Sequence, residues 1–134
     1  MPSLKEKMPF SPEFLVLCLC AEWCGSCREY RPIFEALAER FPEARFRWVD
    51  IEEHADDLGD LDVENFPTLL IQGRGQTLFY GTMLPYASHL QRLIEVFRAQ
   101  TVEQSAEYAH AQAERAAWQE NDDLQNLLRL SSEV

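Results

Sequence analysis

Cys18-Leu-Cys-Ala-Glu-Trp-Cys-Gly-Ser-Cys27 contains all four cysteines of the chain and ends in a Cys-x-x-Cys pair, Cys24 and Cys27. From Phe14 to Cys20 the residues are apolar and β-favouring, and after Gly25 the pattern turns helical, so Cys24 is expected at a strand-to-helix turn. That location has chemical consequences. Unpaired backbone N–H groups and the positive end of the macrodipole at a helix N-terminus stabilise an anion, and the thiolate is the form of cysteine that attacks disulfides. Two intervening residues on one helical turn bring the second sulfur beside the first, so a mixed disulfide formed on Cys24 can be released by Cys27.

Working outward, 134 residues of which 46% are hydrophobic suit one globular core with an appendage. A net charge of −11 argues against nucleic acid as a partner, because neutralising phosphates needs a basic surface. Four cysteines within ten residues cannot staple distant loops, which fits a reducing, cytoplasmic setting where thiols do chemistry. Lys5 and Lys7 ahead of Phe14 to Ala21 imitate a secretory signal, but Pro9, Pro12 and Glu13 interrupt it, and cleavage there would remove the strand that positions Cys24. No segment approaches the roughly 20 apolar residues that span a bilayer, so no membrane association is expected.

Residues 1–13 read as an irregular lead-in. Phe14 to Cys20, apolar on both faces, reads as a buried central strand. Tyr30, Ile33, Phe34, Leu37, Ala38 and Phe41 lie on one face of an amphipathic helix that contains Pro32 and stops at Pro42. Phe46 to Ile51 gives a second strand, and the acidic run Glu52 to Asp62, anchored by Leu58 and Leu61, gives a short solvated helix. Thr68 to Ile71, the turn Gly73-Arg74-Gly75 and Thr77 to Tyr80 form an antiparallel hairpin. Leu90, Leu93, Ile94 and Phe97 mark a helix opened near Pro85. The order is that of an α/β domain with a small mixed sheet covered on both faces, over residues 14–100. Residues 101–134 form a helical extension: Val102, Ala106, Ala109, Ala113 and Ala116 make one narrow stripe. Asn121-Asp122-Asp123 then breaks or caps it, and Leu124, Leu127, Leu128 and Leu130 form an apolar patch.

Ala21-Glu-Trp-Cys-Gly-Ser-Cys27, Pro32 eight residues beyond Cys24, and Phe66-Pro67-Thr68 ahead of the hairpin together resemble the thioredoxin family over roughly residues 14 to 99. The resemblance implies a thioredoxin fold, Cys24 as exposed nucleophile, Cys27 as buried resolving thiol, and a redox-active Cys24–Cys27 disulfide with no dissociable cofactor and no metal. It implies a cis Pro67 against the sulfurs, and a groove in which Trp23, Gly25, Ser26, Phe66 and Gly81 meet a protein substrate, the backbone of Phe66 pairing with an extended peptide. Gly81 reads equally as a plain turn glycine. Electrons would come from a partner reductase or a small thiol, since the chain has no nucleotide-binding glycine motif.

Three positions depart from the family. Cys18 stands where the family keeps a buried acid that handles the proton of the resolving thiol, Trp48 stands where a lysine often pairs with that acid, and Cys20 replaces an aromatic. Glu22 or water is then the expected proton acceptor for Cys27. Ser26 replaces the proline of the usual dipeptide, which tunes reduction potential in the family. Cys18 and Cys20, alternate residues of one strand, share a face and read first as small buried hydrophobes; a thiol relay or a four-sulfur metal site is the sharper alternative. Tetrahedral zinc with Zn–S near about 2.3 Å is hard to build from a strand and a helix start. His54, His89 and His110 have no ligand spacing and are expected at the surface. The reading is a protein-disulfide oxidoreductase acting as a reductant; the alternative is a thioredoxin-fold binding module that docks a partner through residues 101–134.

Overall fold

The computed structural model describes residues 14–132, so the lead-in expected over residues 1–13 lies outside the described residues. Strand β1 (Phe14–Cys20) is buried along its whole length, as an apolar run with no polar face requires. It pairs in parallel with β2 (Ala44–Asp50), from Phe14 opposite Ala44 to Cys20 opposite Asp50, and antiparallel with β3 (Thr68–Gly73), from Phe14 opposite Gly73 to Leu19 opposite Thr68. Strand β4 (Gln76–Thr82) pairs antiparallel with β3, giving the order β2-β1-β3-β4. Arg74 and Gly75 connect β3 to β4 with φ of 55° and 80°. Positive φ at both central residues matches the right-handed twist of the strands, so this two-residue turn fixes the hairpin's register.

The two faces of β1 separate the molecule into two cores. Val16, Cys18 and Cys20 point to one side, where helix α1 (Gly25–Arg40) contributes Cys27, Tyr30, Phe34 and Leu37 and helix α3 (Ala87–Arg98) contributes Leu90, Ile94 and Phe97. Leu15, Leu17 and Leu19 point to the other, where they meet Leu58 of the short α2 (Ala55–Leu58) and Leu124, Leu127 and Leu128 of the C-terminal α6 (Asp122–Ser132). The leucine patch of the extension therefore packs on the sheet of its own chain.

The stripe from Val102 to Ala116 is not one helix. It is divided into α4 (Val102–His110), opened by a capping box between Thr101 and Gln104, and α5 (Ala113–Glu120), with Gln112 extended between them. Arg115 is the physical reason: its Nε donates to the Tyr108 carbonyl at 2.7 Å and its guanidinium lies 4.0 Å over the Tyr108 ring, so a side chain satisfies the last turn of α4. The redirected α5 runs along the edge strand β4. Trp118 meets Phe79 edge-on, and the Gln119 amide accepts from the Thr77 N–H at 2.8 Å and donates to the Thr77 carbonyl at 2.7 Å. Asn121 then caps α6, its Oδ1 accepting from the N–H groups of Asp123 and Leu124. Gly59, at φ 59°, lets the Asp123 carboxylate approach closely enough to accept from the Asp60 N–H at 3.2 Å; a Cβ on Gly59 would collide with that carboxylate.

Candidate active site

The turn from β1 to α1 is closed by a hydrogen bond from the Cys24 N–H to the Ala21 carbonyl at 3.0 Å. Cys24 is the extended N-cap residue of α1, and its carbonyl accepts from the Arg28 N–H at 3.2 Å. Cys24 is half-buried, whereas Cys27, one residue short of a full turn later on the inner side of α1, is 1% exposed.

The bonded pair is not the expected one. Cys27 is in a disulfide with Cys20, and Cys24 and Cys18 are free thiols, so the expected Cys24–Cys27 bond is corrected to Cys20–Cys27. The reason is geometric: Cys20 ends β1 on the face that α1 covers, and its Cα lies 5.8 Å from that of Cys27, within the roughly 4.4–6.8 Å that disulfides span. Cys18 and Cys20 do share a face, with their sulfurs 3.8 Å apart. Since Cys20 carries no proton in the disulfide, the Cys18 thiol is the donor of that contact. Cys18 is fully buried, and burial pushes its thiol far above its ordinary ionisation range. Tyr30, packed in the same core, has a buried hydroxyl with no hydrogen-bond partner among the described residues; burial and then the neighbouring Cys18 raise it too.

The groove residues fall around this turn. Trp23, 62% exposed, stands edge-on to Phe66 with ring centroids 5.6 Å apart, and its indole N–H donates to Glu52 Oε2 at 3.0 Å. The Phe66–Pro67 bond is cis, as the family resemblance implies, and the Pro67 carbonyl accepts from the Met83 N–H at 3.1 Å, tying the loop to the end of β4. Gly81 is a β4 residue opposite Leu69 rather than a turn glycine, and a Cβ there would make only ordinary contact with Phe79. The fold itself does not demand glycine at that position. Gly25 and Ser26 are exposed in the first turn of α1, and Glu22 is exposed, its carbonyl accepting from Arg28 Nη1 at 2.9 Å.

On the other side of Cys27 a cleft of about 380 Å³ is walled by Glu22, Arg28, Arg31, Trp48, Asp50, Glu53 and His54. Trp48, where the family's lysine would stand, packs on Phe34 and lies under the Arg31 guanidinium at 5.1 Å. Asp50 turns the chain after β2 by accepting from the Glu52 and Glu53 N–H groups at 2.8 and 3.2 Å. The sequence reading missed Asp50, which it placed within the second strand, and Glu52 and Glu53, which it gave to a solvated helix that is in fact confined to Ala55–Leu58. It read Cys20 first as a small buried hydrophobe and a thiol relay only as the sharper alternative, whereas the structure bonds Cys20 to Cys27. His89 and His110 are exposed as expected, while His54 is half-buried in the cleft wall.

The thioredoxin family model matches residues 4–95. A thioredoxin H-type of Picea mariana is 40% identical over 58 residues, covering 43% of this chain and 46% of that protein. A thioredoxin H-type of Fagopyrum esculentum is 34% identical over 71 residues, covering 53% and 61%. The chain thus spans about half the length of the curated relatives it matches. Among solved structures, a mutant thioredoxin from Halobacterium salinarum superposes with a TM-score of 0.60 at 23% identity over 74% of this chain and 87% of that one, a likeness of fold. The four-stranded mixed sheet between helices is the thioredoxin fold with extra C-terminal helices, and the chain belongs to the thioredoxin family.

Proposed function

We propose that this protein is a thiol–disulfide oxidoreductase that reduces disulfides of protein substrates. The observation that carries the reading is the half-exposed free thiol of Cys24 at the N-cap of α1, with the buried Cys27 behind it and the Trp23–Phe66 wall beside it. In the reduced protein the Cys24 thiolate attacks one sulfur of a substrate disulfide, forming a mixed disulfide and releasing the first substrate thiol. Cys27 then attacks the Cys24 sulfur; the second substrate thiol leaves, and the two electrons given to the substrate come from Cys24 and Cys27. Among the described residues no Asp or Glu is buried, so the Cys27 proton leaves through the adjoining cleft, whose wall carries the carboxylates of Glu22, Asp50 and Glu53. An extended peptide lies along Phe66 and Pro67. The lack of a side chain on Gly81 leaves that approach open.

A reductase or small dithiol returns the electrons, and a cytoplasmic site of action fits a reductant. Among the described residues no helix is long and apolar enough to cross a membrane. Insulin reduction driven by dithiothreitol tests the proposal. Precipitation faster than the uncatalysed rate, abolished by Cys24→Ser, is expected; no acceleration by the intact protein would favour a binding module instead.

A further inference from the structure

Within the exchange reaction proposed above, on which this inference rests, we propose that Cys20 is a second resolving thiol that takes Cys27 away from Cys24. The oxidising equivalent then ends in a buried Cys20–Cys27 bond, and Cys24 returns as a free thiol.

Cys27 can hold one bond and has two cysteine neighbours on different elements: Cys24 at the start of its own helix and Cys20 at the end of β1. The Cα separation of 5.8 Å between Cys20 and Cys27 needs no backbone displacement to close. Both are buried, at 0% and 1% exposure, whereas Cys24 borders solvent. The step balances without an outside reagent. The Cys20 thiolate attacks the Cys27 sulfur of a Cys24–Cys27 disulfide; the Cys20–Cys27 bond forms, the Cys24–Cys27 bond breaks, and Cys24 leaves as thiolate. The proton lost by Cys20 ends on Cys24 or in solvent by way of the cleft that borders Cys27. Across both steps one substrate disulfide gains two electrons, supplied by Cys20 and Cys27.

The sulfur chain stops at Cys20. Cys18 lies 3.8 Å further along and remains a free thiol beside the Cys20–Cys27 bond, so it donates to the Cys20 sulfur and acts as a positioning residue. The oxidised protein therefore retains an attacking group. Its Cys24 can capture a second disulfide as a mixed disulfide that Cys27, already bonded, cannot resolve, and that bond persists until an external thiol attacks it. Reduction runs in reverse: Cys24 attacks Cys27, Cys20 regains its thiol, and the incoming dithiol meets the accessible Cys24 sulfur.

The test is disulfide mapping of the full-length protein, oxidised with diamide, acid-quenched, unfolded and alkylated with N-ethylmaleimide. Cleavage after Glu22 separates Cys20 from Cys24 and Cys27, so a Cys20–Cys27 bond joins two peptides and a Cys24–Cys27 bond does not. Adducts on Cys18 and Cys24 with two joined peptides are expected; adducts on Cys18 and Cys20 would overturn the proposal. In Cys20→Ala the disulfide should fall back to Cys24–Cys27, and iodoacetamide labelling of Cys24 in the folded, oxidised protein should slow at least roughly ten-fold relative to wild type. Equal labelling rates would also overturn it, and the wild-type map stands even if that variant fails to fold. Insulin reduction on the same preparation separates the two readings. Activity with only a Cys24–Cys27 bond removes the role of Cys20 alone, whereas inactivity despite a Cys20–Cys27 bond removes the exchange function, and a resolving role with it.

Discussion

The two faces of β1 are built from the same seven residues and do different work. On one, Cys18 and Cys20 alternate with Leu17 and Leu19 on the other; one face meets the first turn of α1 and the sulfur of Cys27, the other meets a cluster dominated by aliphatic side chains, Val49 of β2, Leu70 of β3, Leu58 of α2 and the leucines of α6. Period-two alternation lets a single strand carry chemistry on one side and adhesion on the other. Changes on the sulfur face should alter reaction rates, and changes on the leucine face should alter stability alone.

The largest effect should come from Cys24→Ser, which removes the attacking sulfur: insulin reduction should drop to the uncatalysed rate while stability stays within about 0.5 kcal/mol, as for other non-core substitutions. A residual rate above background would mean that another thiol attacks. On the opposite face, Leu127→Ala should cost about 2–5 kcal/mol of stability, read as a lower urea midpoint, because Leu127 is buried between α6 and the sheet. Its exchange rate below the transition should match wild type; a slowed rate would break the division between faces.

Smaller shifts sharpen the sulfur side. Cys18→Asp puts a carboxylate where the family resemblance expects the buried acid, next to Cys20, and should raise the reduction rate of a model disulfide at neutral pH by roughly ten-fold, a modest share of what a positioned base supplies. A pH–rate profile identical to wild type would show that the missing acid does not limit proton transfer. Smallest is an alkaline effect on stability. Burial raises the Cys18 thiol in the folded state, so the folded protein holds a proton that the unfolded chain releases, and stability falls as pH rises above the ordinary thiol value. In the oxidised protein Cys18→Ala should lessen that fall by at most about 1.4 kcal/mol per pH unit, leaving the part due to Tyr30 and Tyr80, whose burial raises them as well. An unchanged slope would mean that the thiol is not protected as the packing implies.

Local signals were legible in the sequence and cross-element pairings were not. The apolar run of β1, the helical face of α1 and the Gly73-Arg74-Gly75 turn each rest on neighbours in the chain, and the structure has them, with β2 and β4 shifted or lengthened by one or two residues. Cys-x-x-Cys spacing suggests a bond between its own members, but the bond to Cys20 depends on how α1 lies across β1, which no local pattern encodes. The same holds for the leucines of α6: their clustering was visible, but not the sheet face that receives them. The stripe from Val102 to Ala116 misled because small residues mark close packing without saying whether one helix or two supplies it; Arg115 settles that by reaching back to Tyr108.

Gln119 has a wider consequence. A strand at the rim of a sheet offers its N–H and C=O groups to any other extended chain, which is how sheets grow between molecules. At Thr77 both groups of β4 are occupied by one side-chain amide that imitates the next peptide unit, with Trp118 shielding the same rim. The C-terminal helices thus terminate the sheet as well as cover it, and a chain that lost them would present an open edge through which folded copies could polymerise.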